Sequence, residues 1–400
     1  MKIAFLYLHS VKNVYSTHIG EKMKKKSVFF VVLAILSLFA CKQKTDAPKT
    51  NNEIEPVIEE GFVKVPTSEI EGKEPSCQLP EAENYWKGVF VKNRKVKLSS
   101  FAIAKTETTY NLWYEVRIWA EANGYKFASK GKEGRGREGE APTPEKKDHP
   151  VTWVSWRDAI VWCNAYTAMK NKNNEENCVY RKSKTNSSIL KDATNEECDG
   201  AFADLSKKGF RLPTEAEWEL AARYQGVEGD NFDKTNAEKY GSVYLTNLNS
   251  ASGAKKPIAF VDIALPKGET YQTLMEELNR VAVCNKWWDD VDWNDFSPPV
   301  IETSHVASKD ANALGLFDMT GNVYEWCFDY QADDPSVNDA EYRKDGIAYN
   351  PQGAISGKER IAKSGSWFTQ GDSCVLGYRI SWEPTYLNTS IGFRLVYSLE

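Results

Sequence analysis

Few residues on this chain could do chemistry. Beyond the first 40 residues there are two histidines, His149 and His305, while His9 and His18 precede them. A three-histidine metal site lacks its third ligand, and a Ser/His/Asp triad would have to draw on one of two loop-like positions. No GxGxxG opens a helical pattern and no GxxxxGK[ST] occurs; GRGREG (134–139) is a flexible loop inside a charged insertion. The cysteines remain: Cys41, Cys77, Cys163, Cys178, Cys198, Cys284, Cys327 and Cys374. Cys374 sits in SGSWFTQGDSCVLGYR (364–379), among small, polar and aromatic residues. A nucleophilic thiolate would need a neighbour that lowers its pKa, and none is evident nearby in sequence. The other reading is a core cysteine beneath a surface that binds something. Cys178 and Cys198 flank one polar insertion and form the best candidate disulfide, although spacing does not dictate connectivity.

The elements that would hold such a surface are mixed. In VSWRDAIVWCNAYTAMK, Ser155 is placed to cap a helix with Ile160, Cys163, Ala165 and Tyr166 near one face. In RLPTEAEWELAARY, Thr214 and Glu217 have capping-box spacing, and Ala216, Leu220 and Ala221 supply the buried stripe. VKLSSFAIA, GLFDM, RIAKSGSW and IGFRLVYS have strand length. Two polar insertions, 130–148 and 171–200, read as surface loops. With 41% hydrophobic residues, 13 Trp, 19 Tyr and 17 Phe, there is ample material for a large core. The expectation is an α+β fold with a few helices, many short strands and long irregular segments.

The leader carries its own signal. MKKKSVFFVVLAILSLFAC, from Met23, has a basic start and an apolar run too short to span a bilayer comfortably, ending at Ala40-Cys41. It resembles a bacterial lipoprotein signal peptide, which implies lipidation of Cys41 and an over-extended start over residues 1–22. Lys42 after that cysteine favours export to the outer membrane. Residues 41–83 are polar and Pro-containing and read as a disordered tether, with one domain over 84–400. The first 40 residues hold six Lys against one Glu, so the rest is more acidic than the net charge of −5 of the whole chain. An acidic chain with no basic stripe excludes nucleic acid as the expected partner.

Four segments carry a family resemblance: VTWVSWRDAIVWCNAY (151–166), GFRLPTEAEWELAAR (209–223), NALGLFDMTGNVYEWCFD (312–329), and RIAKSGSW (360–367) paired with IGFRLV (391–396). In this order they resemble the formylglycine-generating-enzyme/sulfatase-modifying domain, a variant of the C-type lectin fold. The resemblance implies structural calcium, with Thr320, Gly321, Val323 and Glu325 at one site and Asn247 and Leu248 at a second; mixed carbonyl and carboxylate oxygens suit that hard cation. Family members that make formylglycine use two cysteines five positions apart between GSW and GFR. Here Cys374 holds the second position and Thr369 the first, so no copper and no catalysis are expected.

The same arrangement, a patterned stretch between GSW and a terminal IGFRLV, is similar to the variable proteins of diversity-generating retroelements, including a lipid-anchored spirochaete form. What it implies is a surface-displayed lipoprotein of the bacterial outer membrane. Its variable segment, 360–397, would bind diverse macromolecular ligands, protein or glycan on another cell, from a fixed scaffold. Cys374, Arg379 and Pro384 would be scaffold points. Phe368, Tyr378, Trp382 and Tyr386 would supply contact area, and Thr369, Asp372, Ser381, Glu383, Thr385, Asn388 and Thr389 polarity. The alternatives are a cysteine-dependent oxidase and a fixed structural module of an envelope complex.

Overall fold

The computed structural model describes residues 58–80, 84–228, 231–237 and 241–400. The leader and Cys41 lie outside the described residues. Among the described residues no helix is long and apolar enough to cross a membrane.

Both expected helices form, with their caps. Ser155 starts Trp156–Lys170 in a reciprocal capping box with Asp158, and Thr214 starts Glu215–Arg223 with Glu217. Two further helices, Tyr110–Ala122 and Tyr271–Val281, are capped by Thr109 and Thr270. Each carries a legible stripe, Tyr110, Trp113, Val116 and Ala120 in the first and Leu274, Leu278 and Val281 in the second.

The central sheet has the order Ile380–Trp382, Arg360–Lys363, Tyr324–Tyr330, Ile391–Gly392. Its first two pairings are antiparallel and its last, Tyr324 beside Ile391, is parallel. Val396–Ser398 then pairs with Phe101–Ala104, which ties the C-terminal segment to an early strand. GLFDM is not a strand. Gly315 and Asp318 take positive φ (79° and 55°), so the segment turns to bury Leu316 and Met319, while Phe317 donates its N–H to the Lys105 carbonyl. The stretch read as a tether also contributes structure. Phe62–Val65 pairs with Phe101–Ala104 and Ser68–Glu71 with Lys95–Leu98, because Val65 and Ile70 bury fully against that edge.

Five tryptophans, Trp113, Trp156, Trp162, Trp218 and Trp326, are completely buried. Each indole N–H finds an acceptor: Lys130 O at 2.9 Å, Cys327 O at 2.9 Å, Trp113 O at 3.2 Å, the Glu325 carboxylate at 2.8 Å and Val154 O at 3.1 Å respectively. A buried indole with a satisfied N–H contributes its whole area without a desolvation cost, and its direction fixes which elements meet. Trp326 thus joins the central sheet to the loop before Trp156–Lys170. Gly321 stands at φ +81°, where a Cβ would run into the Val283 carbonyl.

Candidate functional site

The segment between Trp367 and Ile391 is pinned at intervals. Arg379 is buried and donates from Nε and Nη2 to the two Glu215 carboxylate oxygens at 2.7 and 2.9 Å, and from Nη1 to Ala332 O at 3.1 Å. Glu215 opens a helix, so its position is set by that helix. Burial pushes the Glu215 carboxyl up, but Arg379 and Lys363 outweigh it and hold it below the usual carboxylate range. Lys363, itself fully buried, donates to Leu376 O at 3.2 Å. Pro384 is buried, and its carbonyl accepts from Arg157 N at 3.3 Å. The Trp367 indole N–H reaches Thr389 O at 2.9 Å and so joins the two ends of the segment.

Between these pins the expected ligand-binding residues divide into three groups. Phe368 is 63% exposed, and Glu383 and Thr385 are exposed as well, as is Gln370, which the sequence reading passed over. Trp382, Tyr386 and Tyr378 are half-buried. Trp382 stacks on Tyr386 at 4.9 Å and meets Tyr324 and Trp326 edge-on, while Tyr378 packs on Trp86 at 4.7 Å. One side of each of these rings is thus footing for the segment. The third group is polar and largely engaged. Thr369 exchanges bonds with the Ser366 backbone, Asp372 accepts from Ser373, Ser381 donates to Glu359, and Asn388 bonds Tyr386 and Ser390. Thr389, half-buried, lends its carbonyl to Trp367. Burial also raises the Asp372 carboxyl.

Neighbours from far away in sequence border this segment. Arg135, in the first insertion, lies over the Trp367 ring at 5.4 Å and donates to Ile301 O. The hairpin Lys286–Trp288 with Trp293–Asp295 bridges the segment at Lys286 and Gln370; its exposed tip carries Asp290, Val291 and Asp292, flanked by the half-buried Trp288 and Trp293. The run KWWDDVDWND, two short apolar stretches around an acidic turn, is the signal that could have found it. The two histidines do come together, rings 4.6 Å apart, with His149 Nδ1 2.9 Å from the Thr303 hydroxyl. Burial, then His305, lowers the His149 pKa to about 4.

Cys374 is fully buried, as the scaffold reading requires, but it is not a solitary thiol. Its Sγ lies 3.4 Å from the Thr369 hydroxyl, and Cys284, also buried and free, belongs to the same apolar cluster. The influence of Cys374, then burial, pushes the Cys284 thiol well above the usual range. Cys284 follows the Tyr271–Val281 helix, ninety residues away, and no local pattern announced it. Cys178 and Cys198 do not pair: one donates to Asn164 O and the other to Asp192 O, each thiol facing its own carbonyl.

Most of the implied calcium ligands are otherwise engaged; Val323 is buried and donates its N–H to Glu107 at 3.2 Å. Glu325 is fully buried and receives Arg394 Nε and Nη2 at 2.6 Å each as well as the Trp218 indole. Thr320 Oγ1 accepts from Ser252 N, and Gly321 O from the Ser364 hydroxyl. At the second site Asn247 Oδ1 accepts from Ser76 and Leu248 O from Gly377 N. A guanidinium stands where a divalent cation would need the Glu325 carboxylate, so these residues as arranged do not fit the ion. Among the described residues no group of three or more His, Cys, Asp or Glu side chains is arranged to hold a metal.

The pattern of the sulfatase-modifying factor enzyme 1-like domain matches residues 42–399. The chain belongs to that family. Over 386 residues it is 25% identical to the chaperone protein LppX of Paenibacillus barcinonensis, which covers 94% of this chain and 100% of that protein. It is 24% identical to the formylglycine-generating enzyme of Mus musculus over 62% of this chain, which spans only 44% of the enzyme's length. Among solved structures, Treponema denticola variable protein 1 superposes with a TM-score of 0.51 at 23% identity, covering 84% of this chain and 94% of that one. The family and this shared architecture establish the α+β, C-type-lectin-type fold of the formylglycine-generating kind.

Proposed function

We propose that this family member is a binding protein, a surface-displayed lipoprotein whose C-terminal segment presents ligand-contacting side chains on a fixed frame. The observation that carries this reading is the alternation of pinned and free positions. Arg379 and Pro384 are held by distant elements and Cys374 is buried, whereas Phe368, Glu383 and Thr385 are exposed in the same segment. Such a division lets contact chemistry change while backbone geometry stays fixed. The ligand is a macromolecule on another cell, protein or glycan, and retroelement-directed rewriting of the gene's 3′ end supplies the variation. The lipid on Cys41 holds the protein at the outer membrane, and residues 41–61 link it to the first strand.

Sequencing the 3′ segment across one clonal population tests this. Substitutions are expected at the codons for Phe368, Glu383, Thr385 and their half-exposed neighbours, with Cys374, Arg379 and Pro384 unchanged and a near-copy of the segment beside the gene. An invariant segment without such a copy would refute the reading in favour of a fixed envelope module.

A second reading, a cysteine-dependent oxidase, is favoured by one observation: Cys284 lies in the same buried cluster as Cys374, although not at position 369. A pair of neighbouring thiols suits Cu(I). Under the binding-protein reading, Cu(I) titration and a cysteine-peptide oxidation assay give no turnover; oxidation of the peptide that is lost in Cys374→Ser would favour the enzyme.

A further inference from the structure

We infer that Cys284 and Cys374 form a disulfide-forming pair that fastens the display segment to the hairpin strand beside it. The backbone already holds the two stretches side by side. Asn285 N donates to Thr369 O at 2.8 Å, and Lys286 bridges Gln370 in parallel. Cys374 N donates to Gly371 O at 2.9 Å, and Leu278 of the preceding helix packs so closely on Gly371 that a Cβ there would lie 2.9 Å from its Cδ2. Both cysteines belong to one apolar cluster with Leu278, Val281, Phe296 and Val375. Both thiols, free in this structure, are therefore buried in one packed cluster behind adjoining backbone, with the Thr369 hydroxyl the polar neighbour at Cys374.

The chemistry is thiol–disulfide exchange with a small-molecule disulfide or a disulfide-bearing oxidoreductase as oxidant. One thiolate attacks a sulfur of the oxidant, whose S–S bond breaks and releases one thiolate. The second cysteine then attacks the mixed disulfide, the Cys284–Cys374 bond forms, and the second leaving thiolate departs. The two protein protons end on the two released thiols, and two electrons pass from the cysteine pair to the oxidant. Because both sulfurs are sealed in the folded protein, exchange takes place before the 366–376 stretch closes or while it is open. Once closed, the bond resists reduction. The loop it closes is long, which is the case in which a cross-link constrains the unfolded chain most.

The inference does not depend on ligand display, because the test reads covalent state alone. The full chain is refolded in oxidised and reduced glutathione, alkylated under denaturing conditions and digested with trypsin. The expected product joins VAVCNK (281–286) to SGSWFTQGDSCVLGYR (364–379) and is two hydrogens lighter than the separate peptides. Protein refolded with reductant present throughout, so that the bond never forms, should melt about 5 °C below the oxidised protein, and Cys284→Ser should abolish both the joined peptide and this difference. Recovery of Cys284 and Cys374 as separate alkylated peptides would overturn the inference. If the serine variant fails to fold, the wild-type digest alone still decides.

Discussion

Replacing Arg394 by alanine should destabilise the fold by about 3–5 kcal/mol, the cost of leaving a buried charge without its partner. Arg394 is completely buried and makes a two-pronged contact with Glu325 at 2.6 Å, while its remaining donors reach Ala104 O at 3.1 Å and Phe317 O at 2.9 Å. Two other buried carboxyls lie in its field. Burial, then repulsion from Asp318 and Glu325, raises Glu107 well above the usual range, and burial raises Asp318 to about 6. One oxygen of Asp318 has no hydrogen-bond partner. Take away the guanidinium and three acids share one dry pocket. Urea titration at pH 7 measures the loss. The deficit should shrink as the pH falls through the raised Asp318 value of about 6, because protonating Asp318 and Glu107 relieves the repulsion among the buried acids; a loss below about 1 kcal/mol at pH 7 would show that Arg394 is not what balances this cluster. Arg394→Lys keeps the charge but not the fork, and should recover only part of the stability.

Arg379→Ala should cost about 3 kcal/mol, because it leaves the buried Glu215 carboxylate with only the more distant Lys363 Nζ, at 3.8 Å, as ion-pair partner. The contrast with its neighbours gives the test its force. Glu383→Gln and Thr385→Ala, at exposed positions in the same stretch, should each shift stability by no more than about 0.5 kcal/mol. Because the Glu215 carboxyl is held below its ordinary range in the folded protein, its contribution is present above the unfolded carboxylate pKa and is lost as the pH falls through the folded value. Arg379→Ala should flatten that acid-side loss. Chemical denaturation of the three variants between neutral and acid pH checks both the size and the slope. Comparable losses at Arg379, Glu383 and Thr385 would contradict a frame with free positions, and so would exchanges of the exposed side chains that regularly prevented folding.

Much of the frame was legible because its signals are local. A serine or threonine with an acid three residues on specifies a helix start whatever lies elsewhere; the predicted box forms at Thr214, and the predicted cap at Ser155 proves to be a box with Asp158 as well. The ordered motifs around Trp218, Gly321, Trp326 and Trp367 fixed the family. Two helices went unread although their stripes were present, since their flanks lacked an acid at the boxed position. GLFDM was misread for a different reason: an apolar run of strand length does not reveal that Gly315 and Asp318 will turn it.

The sequence by itself determined the caps at Ser155 and Thr214, the family, and the buried positions 374, 379 and 384 in the segment between Trp367 and Ile391. Only the tertiary structure decided what those positions touch. Arg379 meets Glu215, Arg394 takes the carboxylate that calcium would have needed, and Cys284 joins the buried cluster that holds Cys374. Each of these pairs joins residues at least 69 positions apart. Their meeting is set by sheet register and by which buried charge must neutralise which, and neither is written in the periodicity of any single segment.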